Sequence, residues 1–351
     1  MNVQNLRGKL LLSLLLGIVV FAGLSFYADF SDLLTSLEDF NWALLPLILG
    51  LTSVNYVLRF VKWEYYLRLI GVRGLAKRDS LLIYLSGLGM VITPGKVGEW
   101  LKCYLLREVH GTPIVRSAPI IIAERLADSI ALVIIASAGV LVFGNFWQVF
   151  VAVALGCLLF IVVVRHRPTA TGLLRVAHRM PVLGRFAPQL EEFYESTYVL
   201  LSPTAVLAMV ALSTISWFSE VLAFYVTLLG LGLEGNGELL LESAFILPIA
   251  TLASAVLLTP GGLGVAEASI TGLSVALLDL SRSSAAVGTL IIRFGTLWFG
   301  VIVGLIAFAI LSRRLSLDAV ATAEPGPDLA VEPLTPPAQP VAGAESMPDA
   351  S

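Results

Sequence analysis

The chain has 351 residues, 57% hydrophobic and only 13% charged, about half the charged share of an ordinary soluble domain. Runs of around 20 apolar residues, the length that crosses a hydrocarbon core, recur along it, so the composition excludes a soluble protein and points to an all-α, polytopic membrane protein. The net charge of −3 says little. Cys103, Cys157 and the histidines His110, His166 and His178 form no metal or redox spacing. No metal, cofactor or nucleic acid is therefore expected.

Residues 10–28 follow Arg7 and Lys9 and lack a small-residue cleavage pattern, so they read as a first span from a cytoplasmic N-terminus rather than a signal peptide. Residues 29–41 carry Asp29, Asp32, Glu38 and Asp39 without a basic residue and are expected outside. Residues 42–62 return, and Lys62, Arg68, Arg73, Lys77 and Arg78 mark the cytoplasmic side. The apolar stretches 80–92 and 97–106 are too short to cross. With the break between them they predict a re-entrant helical hairpin from the cytoplasm. Residues 117–142 cross outward and 146–164 cross back.

The stretch 165–202, with Arg165, Arg167, Arg175, Arg179 and Arg185, is expected in the cytoplasm. Phe193, Tyr194 and Leu201, interleaved with Glu191, Glu192 and Glu195, suggest a helix on the membrane surface; a plain loop is the other reading. Residues 204–231 cross outward with Glu220 as their one charge, and Glu234, Glu238 and Glu242 mark the outside. Residues 243–258 and 268–278 predict a second hairpin, entering from outside, and 284–311 make the last crossing before Arg313 and Arg314. Gly300-x-x-x-Gly304 on that span allows close helix approach. The Ala/Pro-rich residues 316–351 are expected to be a disordered cytoplasmic tail.

This arrangement has about six full spans and two re-entrant hairpins in a membrane domain over 1–315, with both termini cytoplasmic and the cell membrane as its place. A second arrangement makes each hairpin two tilted spans. Three crossings separate the hairpins, so repeat one (about 42–142) and repeat two (about 204–312) have inverted topology, the design of a protein that opens to either side. The tips read Thr93-Pro94-Gly95-Lys96-Val97-Gly98-Glu99 and Thr259-Pro260-Gly261-Gly262-Leu263-Gly264-Val265-Ala266-Glu267. In each, an arginine follows the glutamate by 26 residues: Glu99 to Arg125 and Glu267 to Arg293.

Ionisable groups in lipid are costly unless paired and mark a site by default. The candidates are Arg59, Glu64, Glu99, Lys102, Glu124, Arg125, Asp128, Glu220, Glu267 and Arg293. Glu124 and Asp128 share a helix face. Arg125 can pair with Asp128 or Glu99, and Arg293 with Glu267 or Glu220. Such pairs serve either as clamps on the hairpins or as contacts to substrate. Arginine's planar fork suits phosphate, as do free N–H groups at a Gly-rich tip. No phosphate-loop motif supplies an ATP site.

The segment Thr93–Leu106, Glu-Arg-Leu-Ala-Asp at 124–128 and Pro-Gly-Gly-Leu-Gly-Val-Ala-Glu-Ala at 260–268 together resemble the lysylphosphatidylglycerol synthase transmembrane-region family, also called the flippase-like domain family, over about residues 8–314. The resemblance implies a domain that moves lipids between leaflets or assists lipid-linked envelope assembly. Its partners would be membrane lipids and an envelope or glycolipid biosynthetic enzyme. In the best-known relatives a soluble aminoacyl-transferase is attached. Only a short stretch follows Arg314 here, so synthase activity is not expected. The other classes kept open are an integral-membrane transferase using Glu99 or Asp128 as a base, and a non-transporting scaffold of an envelope-synthesis complex.

Overall fold

A computed structural model describes residues 30–92, 97–143, 147–168, 186–257 and 259–323, with Gly17, Val19, Ala22, Gly23 and Gly172. The expected first span over 10–28, the first tip from Thr93 to Lys96 with Pro94 and Gly95, most of the expected cytoplasmic loop, and residues 324–351 lie mainly or wholly outside the described residues. The chain divides into two compact units, Met1–Ser312 and Arg313–Ser351; the site lies in the first.

Every described element is helical: α1 (Phe30–Glu38), a 3-10 turn at Trp42–Leu44, α2 (Leu45–Leu69), α3 (Lys77–Leu88), α4 (Val97–His110), α5 (Ile114–Phe143), α6 (Trp147–Arg165), α7 (Ala187–Leu200), α8 (Pro203–Gly230), α9 (Gly237–Val256), α10 (Val265–Leu277), α11 (Arg282–Arg293) and α12 (Phe299–Ala323). Among the described residues four stretches are long and apolar enough to cross a membrane: Trp42–Leu69, Pro203–Gly230, Gly237–Val256 and Arg282–Leu315; Val151–Arg165 and Val265–Leu277 are shorter apolar helices. A helix is the natural answer to lipid because it satisfies its own backbone.

Three boundaries depart from the sequence reading. Lys62 does not end a span in a basic loop. The helix continues to Leu69, and Lys62 is 1% exposed. The expected entering arm 243–258 begins earlier, at Gly237, and is then long enough to cross. Asn236 caps it by accepting from the Leu239 amide at 2.8 Å, so Glu238 and Glu242 are wound into helix rather than left in a loop. At the other end of the chain, α12 runs to Ala323, past the point where the tail was expected to start.

Helix α2 packs along α8, and α5 packs against both α8 and α9. Lipid supplies no hydrophobic drive between helices, so close packing and interhelical hydrogen bonds hold them. Asn55 Nδ2 donates to the Ser216 carbonyl at 2.9 Å across the α2–α8 contact, and Thr271 and Thr289 join α10 to α11 at 2.8 Å. The Gly300/Gly304 pair serves close approach: a Cβ at Gly89 of the α3 end would stand 2.8 Å from the Gly304 backbone. Where a surface helix was expected, α7 forms. It buries Ala187, Ser196, Thr197 and Leu200 and packs on α5 and α6, so one of its faces meets protein.

The partners α3/α4 and α9/α10 pack as two pairs. Gly261, at the turn of the second pair, touches the end of the first: its Cβ position is 3.2 Å from Ile92 Cγ2. Ile92, Leu263, Leu297 and Val301 make a small apolar cluster there. Gly261, Gly262 and Gly264 have φ of 59°, 74° and 85°, a region that a Cβ disfavours.

Candidate functional site

The polar side chains of the membrane interior converge on one cavity of about 220 Å³. Arg59 reaches it from α2, Glu99 and Lys102 from α4, Glu124 and Arg125 from α5, Glu220 from α8 and Arg293 from α11. Asp128 and Glu267 do not line it; they stand behind the basic groups that do.

Helix α2 supplies a stripe at helical spacing: Thr52, Asn55, Tyr56, Arg59, Lys62 and Tyr66. Arg59 Nη2 donates to Asp128 Oδ2 at 3.0 Å, and Lys62 Nζ lies 2.5 Å from Asp128 Oδ1. Ser213 of α8 closes the group, accepting from Lys62 at 2.9 Å and donating to Asp128 at 3.0 Å. Arg125 Nη2 adds a third cation to Asp128 at 3.7 Å. Three cations thus stand around one carboxylate, with Arg125 shared between Asp128 and Glu99. Lys102 Nζ donates to Glu124 at 2.7 Å and lies 4.9 Å from the Trp63 ring centre. Arg59 lies 5.5 Å from the Trp217 ring centre.

The two Glu–Arg pairs with matched spacing differ. Arg293 Nε donates to Glu267 Oε1 at 2.7 Å, and its Nη2 donates to the Gly261 carbonyl at 2.6 Å. The other Glu267 oxygen accepts from the Gly264 amide at 2.7 Å. Arg293 thereby ties the turn at Gly261 to the start of α10. Immediately after Arg293 the helix widens to a π-turn over Phe294–Trp298, a feature often found at functional sites. Arg125 instead stands 3.6 Å from Glu99 Oε1, with its side chain 42% exposed.

Glu64 is drawn elsewhere, to Lys77 and Ser80 at the helix end. Gly98 lies in the first turn of α4, Gly262 lines the cavity, and Pro260 lies in the 3-10 turn Pro260–Gly262. Among the described residues no group of His, Cys, Asp and Glu is arranged to hold a metal.

Sequence reasoning missed Lys62, Ser213, Tyr84 and Trp217 as parts of the site; Thr259 entered it only as the first residue of the second tip. Lys62 is three residues beyond Arg59 on the same face, a legible signal. Ser213, Tyr84 and Trp217 carry none. Among the described residues five buried side-chain polar atoms lack a hydrogen-bonding partner: Asn55 Oδ1, Tyr84 Oη, Arg125 Nε, Trp217 Nε1 and Thr259 Oγ1. The last four belong to residues lining the cavity, and each can donate a proton.

A profile of the lysylphosphatidylglycerol synthase TM region matches residues 14–304. The chain belongs to that family of membrane domains. It is similar to a UPF0104 membrane protein of Methanothermobacter thermautotrophicus, 35% identical over 112 residues, covering 32% of either chain. It is also similar to the glycosyltransferase AglD of Haloferax volcanii, 23% identical over 317 residues, covering 80% of this chain and 50% of that one. The chain thus matches about a third and about half of the length of these curated relatives.

Proposed function

We propose that this protein moves a phosphate-bearing, anionic lipid between the leaflets of the cell membrane, in support of envelope or lipid-linked glycan assembly. The observation that carries the reading is the set of unpartnered donors on Tyr84, Arg125, Trp217 and Thr259 around one cavity. A buried donor without an acceptor costs free energy, and a phosphate offers several acceptors at once. Arg125, held at 3.6 Å rather than bonded, is free to turn from Glu99 to the headgroup. Moving a headgroup charge through hydrocarbon unaided is prohibitive. A polar cavity between apolar helices lowers that barrier while the acyl chains stay in lipid.

In this reading α3/α4 and α9/α10 are paired arms of an inverted repeat, in a domain with six crossings and both termini cytoplasmic. Contact between Gly261 and Ile92 and the direct packing of α2 on α8 support it: equivalent elements meet at a pseudo-twofold axis. Membrane lipids are the primary partners, and an envelope or glycolipid biosynthetic enzyme is the protein partner that fits. The transferase reading draws support from one relative's name, and half of that relative lies outside the match.

The test is reconstitution of the purified protein in vesicles with a trace of fluorescent phosphatidylglycerol, followed by quenching from outside. Movement above protein-free vesicles, lost in Arg125→Gln, is expected. Rates equal to protein-free vesicles overturn the proposal.

A further inference from the structure

Among the five carboxylates gathered at the site, Glu220 is set apart. Glu99, Glu124, Asp128 and Glu267 each have a basic partner. Glu220 is 7% exposed, lines the cavity, and has no hydrogen-bond or ion-pair partner among the described residues. It sits at the middle of α8, which packs against α2, α5, α9 and α11. The charged and titratable groups facing it are Tyr56 and Arg59 from α2, Tyr84 from α3, Asp128 from α5 and Arg293 from α11. Helix α9 contributes only Leu247, Thr251, Ser254 and Ala255 to this wall. The carboxyl therefore shares the cavity wall with Arg59 and Arg293 and is bonded to neither.

We propose that Glu220 takes up one proton when an anionic headgroup enters the cavity, so that lipid and proton bind together. The inference rests on the phosphate reading above. A phosphate occupying the space between Arg59 and Arg293 turns their positive charge toward itself and adds a negative charge beside Glu220. A like charge in a low-dielectric site disfavours the ionised carboxylate. The step forms one O–H bond on a Glu220 carboxylate oxygen, with the proton taken from a hydronium ion or buffer acid of the solvent, which is left as water or as the conjugate base. The carboxyl then donates to the phosphate instead of repelling it. By linkage, acid must tighten headgroup binding as much as the headgroup promotes protonation. This coupling lets a proton gradient direct lipid movement.

The test uses the detergent-solubilised full chain and short-chain phosphatidylglycerol, a phosphodiester whose own charge is constant through the range. Binding about tenfold tighter near pH 6 than near pH 8 is expected, with an average of about half a proton taken up per lipid across that range in weak buffer, most of it at the alkaline end. In Glu220→Gln, the mimic of the protonated form, the two affinities converge on the acid value and uptake disappears. Should that variant fail to fold, the native protein still decides the matter. A protonated-carboxyl band must appear in its infrared difference spectrum on lipid binding. Binding without pH dependence, proton uptake or such a band overturns the coupling alone. Absence of binding by the native protein overturns the phosphate reading and the coupling with it.

Discussion

Arg125 Nε stands 3.6 Å from Glu99 Oε1, beyond hydrogen-bonding distance, whereas its counterpart Arg293 Nε bonds Glu267 Oε1 at 2.7 Å. Two pairs with the same spacing in sequence therefore do different work. Arg293 fastens a turn; Arg125 faces the cavity with a donor to spare. Arg125→Gln should cut lipid movement at least tenfold with little change in thermal unfolding. Arg293→Gln should lower both, because it leaves Glu267 buried without its cation, a loss of about 3–5 kcal/mol. Equal thermal effects of the two substitutions, in a melting assay, would remove the distinction.

Among the described residues Lys62 is the most deeply buried cation, 1% exposed and bonded to Asp128 and Ser213. Lys62→Met should destabilise the protein by about 3 kcal/mol, since Asp128 loses its nearest partner. Lys77, which pairs with Glu64 but is 66% exposed in its side chain, serves as the control. Lys77→Met should change stability by under about 1 kcal/mol. Chemical unfolding in detergent compares the two.

Gly89 and Gly304 let α3 and α12 meet backbone to backbone. Gly304→Leu should prevent that approach and reduce the yield of folded protein. Gly272→Ala, where a Cβ meets nothing within 4 Å, should be neutral or slightly stabilising. Gly261→Ala meets both a φ of 59° and the Ile92 side chain, and should cost about 1–2 kcal/mol. Size-exclusion profiles and melting curves distinguish these outcomes.

Orientation is tested by cysteines introduced at exposed positions at or beyond helix ends, in a background lacking Cys103 and Cys157. Glu38→Cys and Glu234→Cys should react with an impermeant reagent from outside the cell, and Arg73→Cys should not. Labelling of Arg73→Cys from outside would reverse the topology and the direction of both hairpins.

The membrane class and the helical fold were legible in residues alone, and the partner of Arg293 was narrowed to Glu267 or Glu220. Long apolar runs admit few other solutions in lipid, and matched spacing around two Thr-Pro-Gly breaks singles out the ionisable groups. Chain order also implied that Arg59, Lys102 and Asp128 matter, because isolated charges in apolar sequence need partners. What it did not convey is which partner each takes. Lys62 read as the start of a basic loop because a charge near a span end has the same local pattern whether it snorkels to water or turns inward. Glu238 and Glu242 read as loop for the same reason, although a cap at Asn236 winds them into α9. Tertiary packing decided these cases. Ser213 and Asp128, 85 residues apart, come together only when α8 lies against α5. That packing gives Lys62 two partners, leaves Glu220 with none, and leaves Arg125 loose while Arg293 is bound. Burial and distance set those differences, and neither is a property of a residue's neighbours in sequence.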